Sequence, residues 1–180
     1  MQGLMRAEIE TERLVLEALR TEHAALCFDK LRDPELYVYV PQDPPVKVDE
    51  LIQRYKFILS EAPENELWLN WFGRLKADGA YVCFVQATVR PTDATAMLAY
   101  QTFHPFRRQG FAKEACNAVI NELIAAGDVR HFRVEMDTLN TASRKLVEAL
   151  DFQQIGITKQ ADYFKGRSSD EFVYERHVAS

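Results

Sequence analysis

The chain has 180 residues and carries 22 Lys and Arg against 27 Asp and Glu, a formal net charge of −5. Its hydrophobic fraction of 47% is sufficient for a packed core and excludes a disordered chain. The acidic balance argues against nucleic acid as the main partner, because phosphate binding requires a dominant basic face. We expect a single domain that spans residues 1–180.

One strand and two helices are predicted in the first third of the chain. The strand is expected at residues 13–19, and the first helix runs from an N-cap at Thr21 towards Leu31. Three prolines within residues 41–45 exclude regular structure there. The second helix is expected at residues 48–60, where the apolar side chains share one face.

A meander of three strands is predicted next. Strands at residues 67–75 and 81–89 flank Asp78-Gly79, a dipeptide that strongly indicates a hairpin turn. A third strand is expected at residues 94–103, after a turn that contains Pro91.

The last third of the chain alternates helices and strands. A helix with an apolar stripe ends at Gly127, which suits a C-cap, and a short strand follows at residues 131–136. A further helix at residues 140–150 precedes two strands at residues 153–159 and 171–176. This order predicts a mixed α/β architecture.

The cysteines and the N-terminal residues indicate the compartment, and the histidines bear on metal binding. The three cysteines, Cys27, Cys83 and Cys116, are far apart and favour reduced, packed thiols. The four histidines lack the spacing of metal ligands, so no metal is expected. Residues 1–12 lack the apolar segment of a secretion signal, and no stretch approaches the roughly 20 apolar residues of a membrane span. We expect a cytoplasmic protein without a membrane partner.

Residues 104–112, between the third meander strand and the next helix, combine the features of an anion site. Gly110 permits a positive φ and a close backbone approach. Three consecutive amides at the expected helix start lack partners: those of Gly110, Phe111 and Ala112. Arg107 and Arg108 lie where the helix dipole is already positive, which is favourable only when an anion binds. The alternative is a basic loop with two solvated arginines.

This segment, Arg107-Arg-Gln-Gly-Phe-Ala112, resembles the [Q/R]-x-x-G-x-[G/A] acyl-coenzyme A signature of the GNAT family of N-acetyltransferases. Thr-Glu-Arg-Leu-Val-Leu at residues 11–16 resembles the start of its RimJ/RimL branch. Asn140-Thr-Ala-Ser143 resembles the N-x-x-S helix of the family, and residues 159–163 resemble a tail segment of RimL-like members. The resemblance covers nearly the whole chain in the right order.

The resemblance implies a single-domain GNAT fold, with a twisted, mainly antiparallel mixed sheet flanked by helices. It implies acetyl-CoA as co-substrate and direct attack by a primary amine in a ternary complex. The expected acceptor is the α-amine of a protein or peptide N-terminus, with a basic N-terminus as one candidate. A small-molecule amine acceptor and a non-catalytic acyl-CoA sensor are the alternatives. The protein is expected to be a monomer or a homodimer.

The resemblance also implies which residues bind coenzyme A. Backbone groups near Thr102 and Phe103 are expected to bind the pantetheine arm and to polarise the carbonyl group. Asn140 is either the N-cap of its helix, a partner of the pantetheine arm, or both. The full expected set is Thr102, Phe103, Arg107, Arg108, Gln109, Gly110, Phe111, Ala112 and Asn140.

Three residues are candidates for catalysis by resemblance. Ser143 corresponds to the suggested thiolate protonator, although a first-turn serine also bonds to the backbone. Many relatives have a tyrosine proton donor where this chain has Val147. Asp162 matches the proposed basic Glu, one methylene shorter, and its alternative role is that of a solvated turn residue. Glu135, on a strand beside the expected cleft, is the reserve candidate for the base.

Overall fold

The computed structural model describes residues 8–127 and 129–178, which form an eight-stranded sheet with four α-helices. The strands are β1 (Ile9–Glu10), β2 (Leu14–Ala18), β3 (Leu67–Leu75), β4 (Tyr81–Arg90), β5 (Thr95–Thr102), β6 (His131–Asp137), β7 (Gln153–Phe164) and β8 (Arg167–His177). The helices are α1 (His23–Leu31), α2 (Val48–Ser60), α3 (Phe111–Ala125) and α4 (Thr141–Glu148). Residues 1–7 lie outside the described residues, and they are most of residues 1–12, the segment in which no secretion signal was expected. None of the described helices combines the length and the apolar character needed to cross a bilayer.

The strand order is β1-β2-β3-β4-β5-β6-β8-β7, and every described pairing is antiparallel except that of β5 with β6. The expectation of a mainly antiparallel mixed sheet flanked by helices is confirmed. The parallel pairing of β5 and β6 runs only from Thr95↔His131 to Met97↔Arg133. Within the described chain the two strands have no paired residues beyond that point. They therefore diverge towards their C-terminal ends and leave a cleft inside the sheet.

The sheet carries a hydrophobic core on each face. On one face, α3 and α4 pack against strand residues such as Leu98 and Phe132. On the other face, α1 and α2 cover Phe72, whose ring lies 4.8 Å from that of Phe84. Cys116, on the buried stripe of α3, is fully buried, and burial raises the pKa of its thiol. The expectation that the cysteines are packed is confirmed, because all three are free and buried.

Local signals placed most elements correctly. The Asp78-Gly79 hairpin joins β3 to β4, with Gly79 at φ +78° and its amide donating to the Leu75 carbonyl over 3.0 Å. Gly127 follows α3 at φ +84°, as a glycine C-cap requires. Asn140 caps α4, because its Oδ1 accepts the Ser143 amide at 3.0 Å.

Three details of the prediction were wrong. The strand expected at residues 13–19 is not the first, because a short edge strand at Ile9–Glu10 precedes it and pairs with β2. Thr21 is not the helix cap, since α1 begins at His23 after Glu22 and has no side-chain cap bond. The last two strands extend to Phe164 and from Arg167, which places Asp162 in a strand rather than in a turn. Most side chains in these extensions are solvent-exposed, so they lack the alternation that predicts a strand.

A buried ion network joins β2, α1, β3 and β4. Glu17 is 5% exposed and accepts hydrogen bonds from Arg74, from Tyr81 Oη at 2.8 Å and from Arg20 Nη2 at 3.0 Å. Its fourth partner is the buried His23, whose Nε2 lies 3.1 Å away. Because His23 Nδ1 accepts the Arg20 amide at 3.0 Å, Nε2 carries the ring proton and donates it to Glu17.

Burial acts to raise the pKa of Glu17, but the hydrogen bonds from Arg74, His23 and Tyr81 outweigh it and hold the pKa at about 2. Burial lowers the pKa of His23 below its ordinary value, so the ring stays neutral in the folded protein. The network is therefore satisfied with a charged carboxylate and a neutral imidazole.

Candidate active site

A cavity of about 1060 Å³ follows the divergence of β5 and β6. One part lies between β5 and the first turns of α3 and α4, and the other extends beneath α2 and residues 35–42. Of the residues expected to bind coenzyme A or act in catalysis, it is lined by Thr102, Arg107, Arg108, Gly110, Phe111, Ala112, Asn140 and Ser143. Four expected residues are not among its described lining residues: Phe103, Gln109, Glu135 and Asp162.

The start of α3 presents backbone donors to this cavity. Gly110 is the N-cap residue and has φ +83°, while Arg108 before it has φ +59°. Helix geometry leaves the amides of Phe111, Ala112 and Lys113 without an intrahelical acceptor. With the cationic side chains of Arg108 and Lys113 beside them, these donors suit a diphosphate group.

An unexpected ion pair holds this loop in place. Arg13 Nε donates to Glu114 Oε2 at 2.7 Å, and Arg13 Nη1 donates to the Gln109 carbonyl at 3.0 Å. The guanidinium also lies over the Phe111 ring, 4.4 Å from its centroid. Thr11 Oγ1 donates to Glu114 Oε1 at 2.6 Å. The sequence does not predict this contact, because its partners are about 100 residues apart and no local pattern links them.

Arg107 points towards the other part of the cavity. Its Nη1 donates to Glu35 Oε2 at 2.6 Å, and His104 Nδ1 lies 3.0 Å from the same oxygen. Hydrogen bonds from Arg107 and His104 lower the pKa of Glu35. Asp33, Glu35 and His104 bring three potential ligand atoms within 4.8 Å of one another, but Arg107 already binds the Glu35 carboxylate. The ion pair therefore joins the α3 loop to the segment that follows α1.

Two backbone groups at the end of β5 already have hydrogen-bond partners within the protein. The Phe103 amide donates to the Val82 carbonyl at 2.9 Å, and its side chain is fully buried against α2. The Thr102 carbonyl accepts Arg107 Nε at 3.4 Å. Thr102 lines the cavity, whereas Phe103 supports the cavity wall from behind.

Ser143 is hydrogen-bonded across the cleft. Its Oγ lies 2.7 Å from the Oη of Tyr100, a β5 residue that sequence analysis did not single out. Burial raises the pKa of Tyr100, and both residues line the cavity. Val147, one helical turn after Ser143, is fully buried in the core. Tyr100 had no distinguishing signal in the sequence, because it occupies an ordinary position in a strand.

The two candidate bases lie on β6 and β7. Alternate residues of β6, including Val134, face the α3 core, so Glu135 projects from the opposite face. Glu135 Oε1 is 2.6 Å from Arg133 Nη2. Asp162 is exposed and accepts the Tyr163 amide at 2.7 Å.

A third carboxylate, Glu171, links these two. It lies directly opposite Asp137 in the pairing of β6 with β8 and is partly buried. Burial raises the pKa of Glu171, and the negative charges of Glu135 and Asp162 raise it further. The three carboxylates therefore influence one another electrostatically, and the sequence analysis named only Glu135 and Asp162, as separate candidates.

Comparisons with known proteins identify the family and similar folds. A family model of the acetyltransferase (GNAT) domain matches residues 13–153. An uncharacterized N-acetyltransferase p20 of Bacillus licheniformis is 24% identical over 166 residues, which cover 91% of this chain and 92% of the relative.

Two solved structures have similar folds. RimL, a ribosomal L7/L12 α-N-protein acetyltransferase in complex with coenzyme A, has a TM-score of 0.85 at 18% identity, over 96% of this chain and 98% of its own. The ribosomal-protein-S5-alanine acetyltransferase of Vibrio fischeri has a TM-score of 0.83 at 16% identity, over 95% and 96% of the two chains. At such identities these structures establish the likeness of fold.

Proposed function

The chain belongs to the acetyltransferase (GNAT) family, and we propose that it transfers the acetyl group of acetyl-CoA to the α-amine of a protein or peptide N-terminus. The observation that carries this proposal is the two-part cavity, which joins a helix start with unpaired backbone donors to a mainly apolar groove beneath α2. RimL and the S5-alanine enzyme, which share the fold, act on ribosomal proteins.

The residues at the start of α3 fit coenzyme A. The free amides of Phe111, Ala112 and Lys113 and the Arg108 side chain would hold the diphosphate. Gly110 allows the backbone to approach closely, and Asn140, whose Oδ1 caps α4, keeps its side-chain NH2 for the pantetheine arm. When bound, acetyl-CoA supplies an activated acetyl thioester at the cleft between β5 and α4.

The reaction is proposed to proceed by direct attack of the amine. The nitrogen forms a bond to the acetyl carbon, the carbon–sulfur bond breaks with its electron pair on sulfur, and sulfur accepts one proton. We assign that proton to Ser143, while nitrogen loses one proton to a carboxylate or to water, so the protons balance. The buried cysteines, with thiols such as Cys83 raised by burial to a pKa of about 12, do not suit a covalent acetyl-enzyme.

An α-amine suits this site better than a lysine side chain. The pKa of an α-amine is about 7.7–8.0, whereas that of lysine is about 10.4, so the α-amine needs little help to become neutral. The carboxylates Glu135, Asp162 and Glu171 are not among the described residues that line the cavity, so they would attract the ammonium form by charge and receive its proton through water.

The carboxylate role predicts the effect of two substitutions. Whichever of Glu135→Gln and Asp162→Asn removes the base is expected to lower kcat by about 100-fold, the usual contribution of a general base. The dissociation constant of coenzyme A, measured by calorimetry, should stay within about twofold, because neither side chain is among the described residues that line the cavity.

Asp170→Asn is the matched control, since Asp170 lies in the same hairpin but is bound by Lys159 at 2.7 Å. Wild-type kcat across the pH range in both test variants would remove Glu135 and Asp162 from the mechanism.

An acceptor panel tests the proposed substrate class. The protein is incubated with acetyl-CoA and peptides that have free N-termini, with N-terminally blocked lysine peptides, and with polyamines, while released thiol is followed. We expect thiol release that depends on a free N-terminus. Release only with polyamines or blocked peptides would overturn the α-amine proposal, and tight coenzyme A binding without acceptor-dependent release would favour a sensor.

A further inference from the structure

A phenol and a serine hydroxyl meet across the divergence of β5 and β6. Tyr100 projects from β5 and Ser143 from the first turn of α4, and their oxygens are 2.7 Å apart. Tyr100 Oη also lies 3.4 Å from the Ser143 carbonyl oxygen. The contact spans 43 residues of sequence and lies on the wall of the cofactor part of the cavity.

The chemistry of the two groups allows the phenol to be the donor in this hydrogen bond. Burial raises the pKa of Tyr100, so the phenol keeps its proton and remains a donor. A serine hydroxyl has one proton and two lone pairs, so when Tyr100 is the donor, Ser143 accepts and still has its own proton to donate. The Ser143 amide is held by Asn140 Oδ1 at 3.0 Å, which fixes the start of the helix around it.

Without the phenol, the serine hydroxyl would have a competing partner. A serine in a helix commonly turns its hydroxyl towards a backbone carbonyl of the preceding turn, and its proton is then unavailable to a ligand. The residue one turn later on α4 offers no replacement, because Val147 is apolar and fully buried. The side-chain partner of the Ser143 hydroxyl therefore lies on the opposite wall of the cleft rather than on its own helix.

We propose that Tyr100 is a positioning residue that holds the Ser143 hydroxyl with its proton directed at the departing sulfur. This inference rests on the proposed function, in which Ser143 protonates that sulfur. As the carbon–sulfur bond breaks, sulfur takes the Ser143 proton and Ser143 takes the Tyr100 proton. Tyr100 then regains a proton from solvent, and this proton matches the one that the amine nitrogen releases.

A double-mutant cycle tests the inference on the intact enzyme. Tyr100→Phe keeps the ring and removes only the hydroxyl, and it is combined with Ser143→Ala. We expect Tyr100→Phe and Ser143→Ala each to lower kcat by about tenfold or more, with the KM for acetyl-CoA within about twofold. The double variant is expected to be no slower than Ser143→Ala, because the phenol acts only through the serine.

Tyr174→Phe is the matched control. Tyr174 Oη also hydrogen-bonds to α4, at 3.0 Å from Glu148 Oε1, but it lies outside the cavity. Tyr174→Phe removes a tyrosine hydrogen bond to α4 without touching Ser143, so it should keep wild-type kcat. A loss of kcat in this variant would show that any weakened contact with the helix lowers activity. Ser143→Thr should retain more activity than Ser143→Ala when Tyr100 is present, and no more than Ser143→Ala in the Tyr100→Phe background.

The outcomes separate the inference from the function on which it rests. Wild-type kcat in Tyr100→Phe together with a reduced kcat in Ser143→Ala would overturn the inference and leave the proposed function intact. Multiplicative losses in the double variant would also overturn it, since the two residues would then act separately. Wild-type kcat in Ser143→Ala would overturn the proposed role of the serine and the inference with it.

Discussion

Gly110→Asp is expected to weaken coenzyme A binding by about 100-fold or more while the protein remains folded. The new carboxylate would lie at the start of α3, where the free amides are assigned to the diphosphate. Like charges placed in contact cost several kcal/mol, and about 1.4 kcal/mol corresponds to a tenfold change in affinity. The loss should appear as a higher dissociation constant in a calorimetric titration with coenzyme A.

The fold should tolerate this substitution. Position 110 has φ +83°, and aspartate is among the few residues that adopt left-handed backbone without severe strain. A Cβ there would approach Arg13 Nη2 to 3.5 Å, an ordinary contact distance. Gly110→Asn is the matched control, because it has the same size and backbone tolerance without the charge. Equal losses in both variants would attribute the effect to size, and unchanged affinity in Gly110→Asp would refute the diphosphate site.

Glu17→Ala is expected to cause the largest loss of stability, about 3 kcal/mol in the free energy of unfolding. It removes a buried carboxylate that binds Arg74, Tyr81 and His23 and leaves these groups without their common acceptor. For a chain of this length, the midpoint of thermal unfolding should fall by about 6–12 °C.

The control removes a carboxylate that pairs at the surface. Glu10 binds Lys76 at 3.0 Å, with 72% of the Glu10 side chain exposed, so Glu10→Ala should change the unfolding free energy by less than about 1 kcal/mol. A similar loss of stability in both variants would contradict the special role of the buried network.

The same network predicts the response to acid. The pKa of His23 is lower in the folded protein than in the unfolded chain, so the unfolded chain binds a proton first and stability falls below about pH 6.5. The folded pKa of Glu17 is about 2, so its contribution is present above pH 4.5 and is lost as the pH falls towards 2. Thermal unfolding at a series of pH values should show both stages, and Glu17→Ala should make the lower one smaller, since other carboxylates with lowered pKa values, such as Asp137, also contribute to it.

The elements that the sequence predicted well carry their signal within a few residues. The Asp78-Gly79 turn, the Asn140 cap and the apolar stripe of α3 each follow from local backbone preference or from the periodicity of apolar side chains. Gly110 also follows from local backbone preference, since glycine permits the positive φ that this position has.

The missed contacts join residues that are distant in the chain. Arg13 reaches Glu114 because β2 and the start of α3 meet in space, and Glu35 reaches Arg107 across the groove. In the sequence, Tyr100 cannot be distinguished from other strand residues. In the structure, β5 diverges from β6, and Tyr100 lies opposite α4. A pattern based on neighbouring residues reports none of these pairings, so the partners of the site required three-dimensional structure.

Because β5 pairs with β6 over only three residues, the C-terminal part of β5 has an unpaired edge inside the sheet, which we call the interior margin. Beyond Met97, alternate peptide groups of β5 face the gap rather than a neighbouring strand, so they can pair with an extended ligand that lies along it. Such a margin is shielded from other protein molecules by the flanking β6, unlike the outer rim of a sheet. Deuterium uptake by the amides of residues 98–102 should therefore slow when coenzyme A is added, as the ligand takes the place of the missing strand.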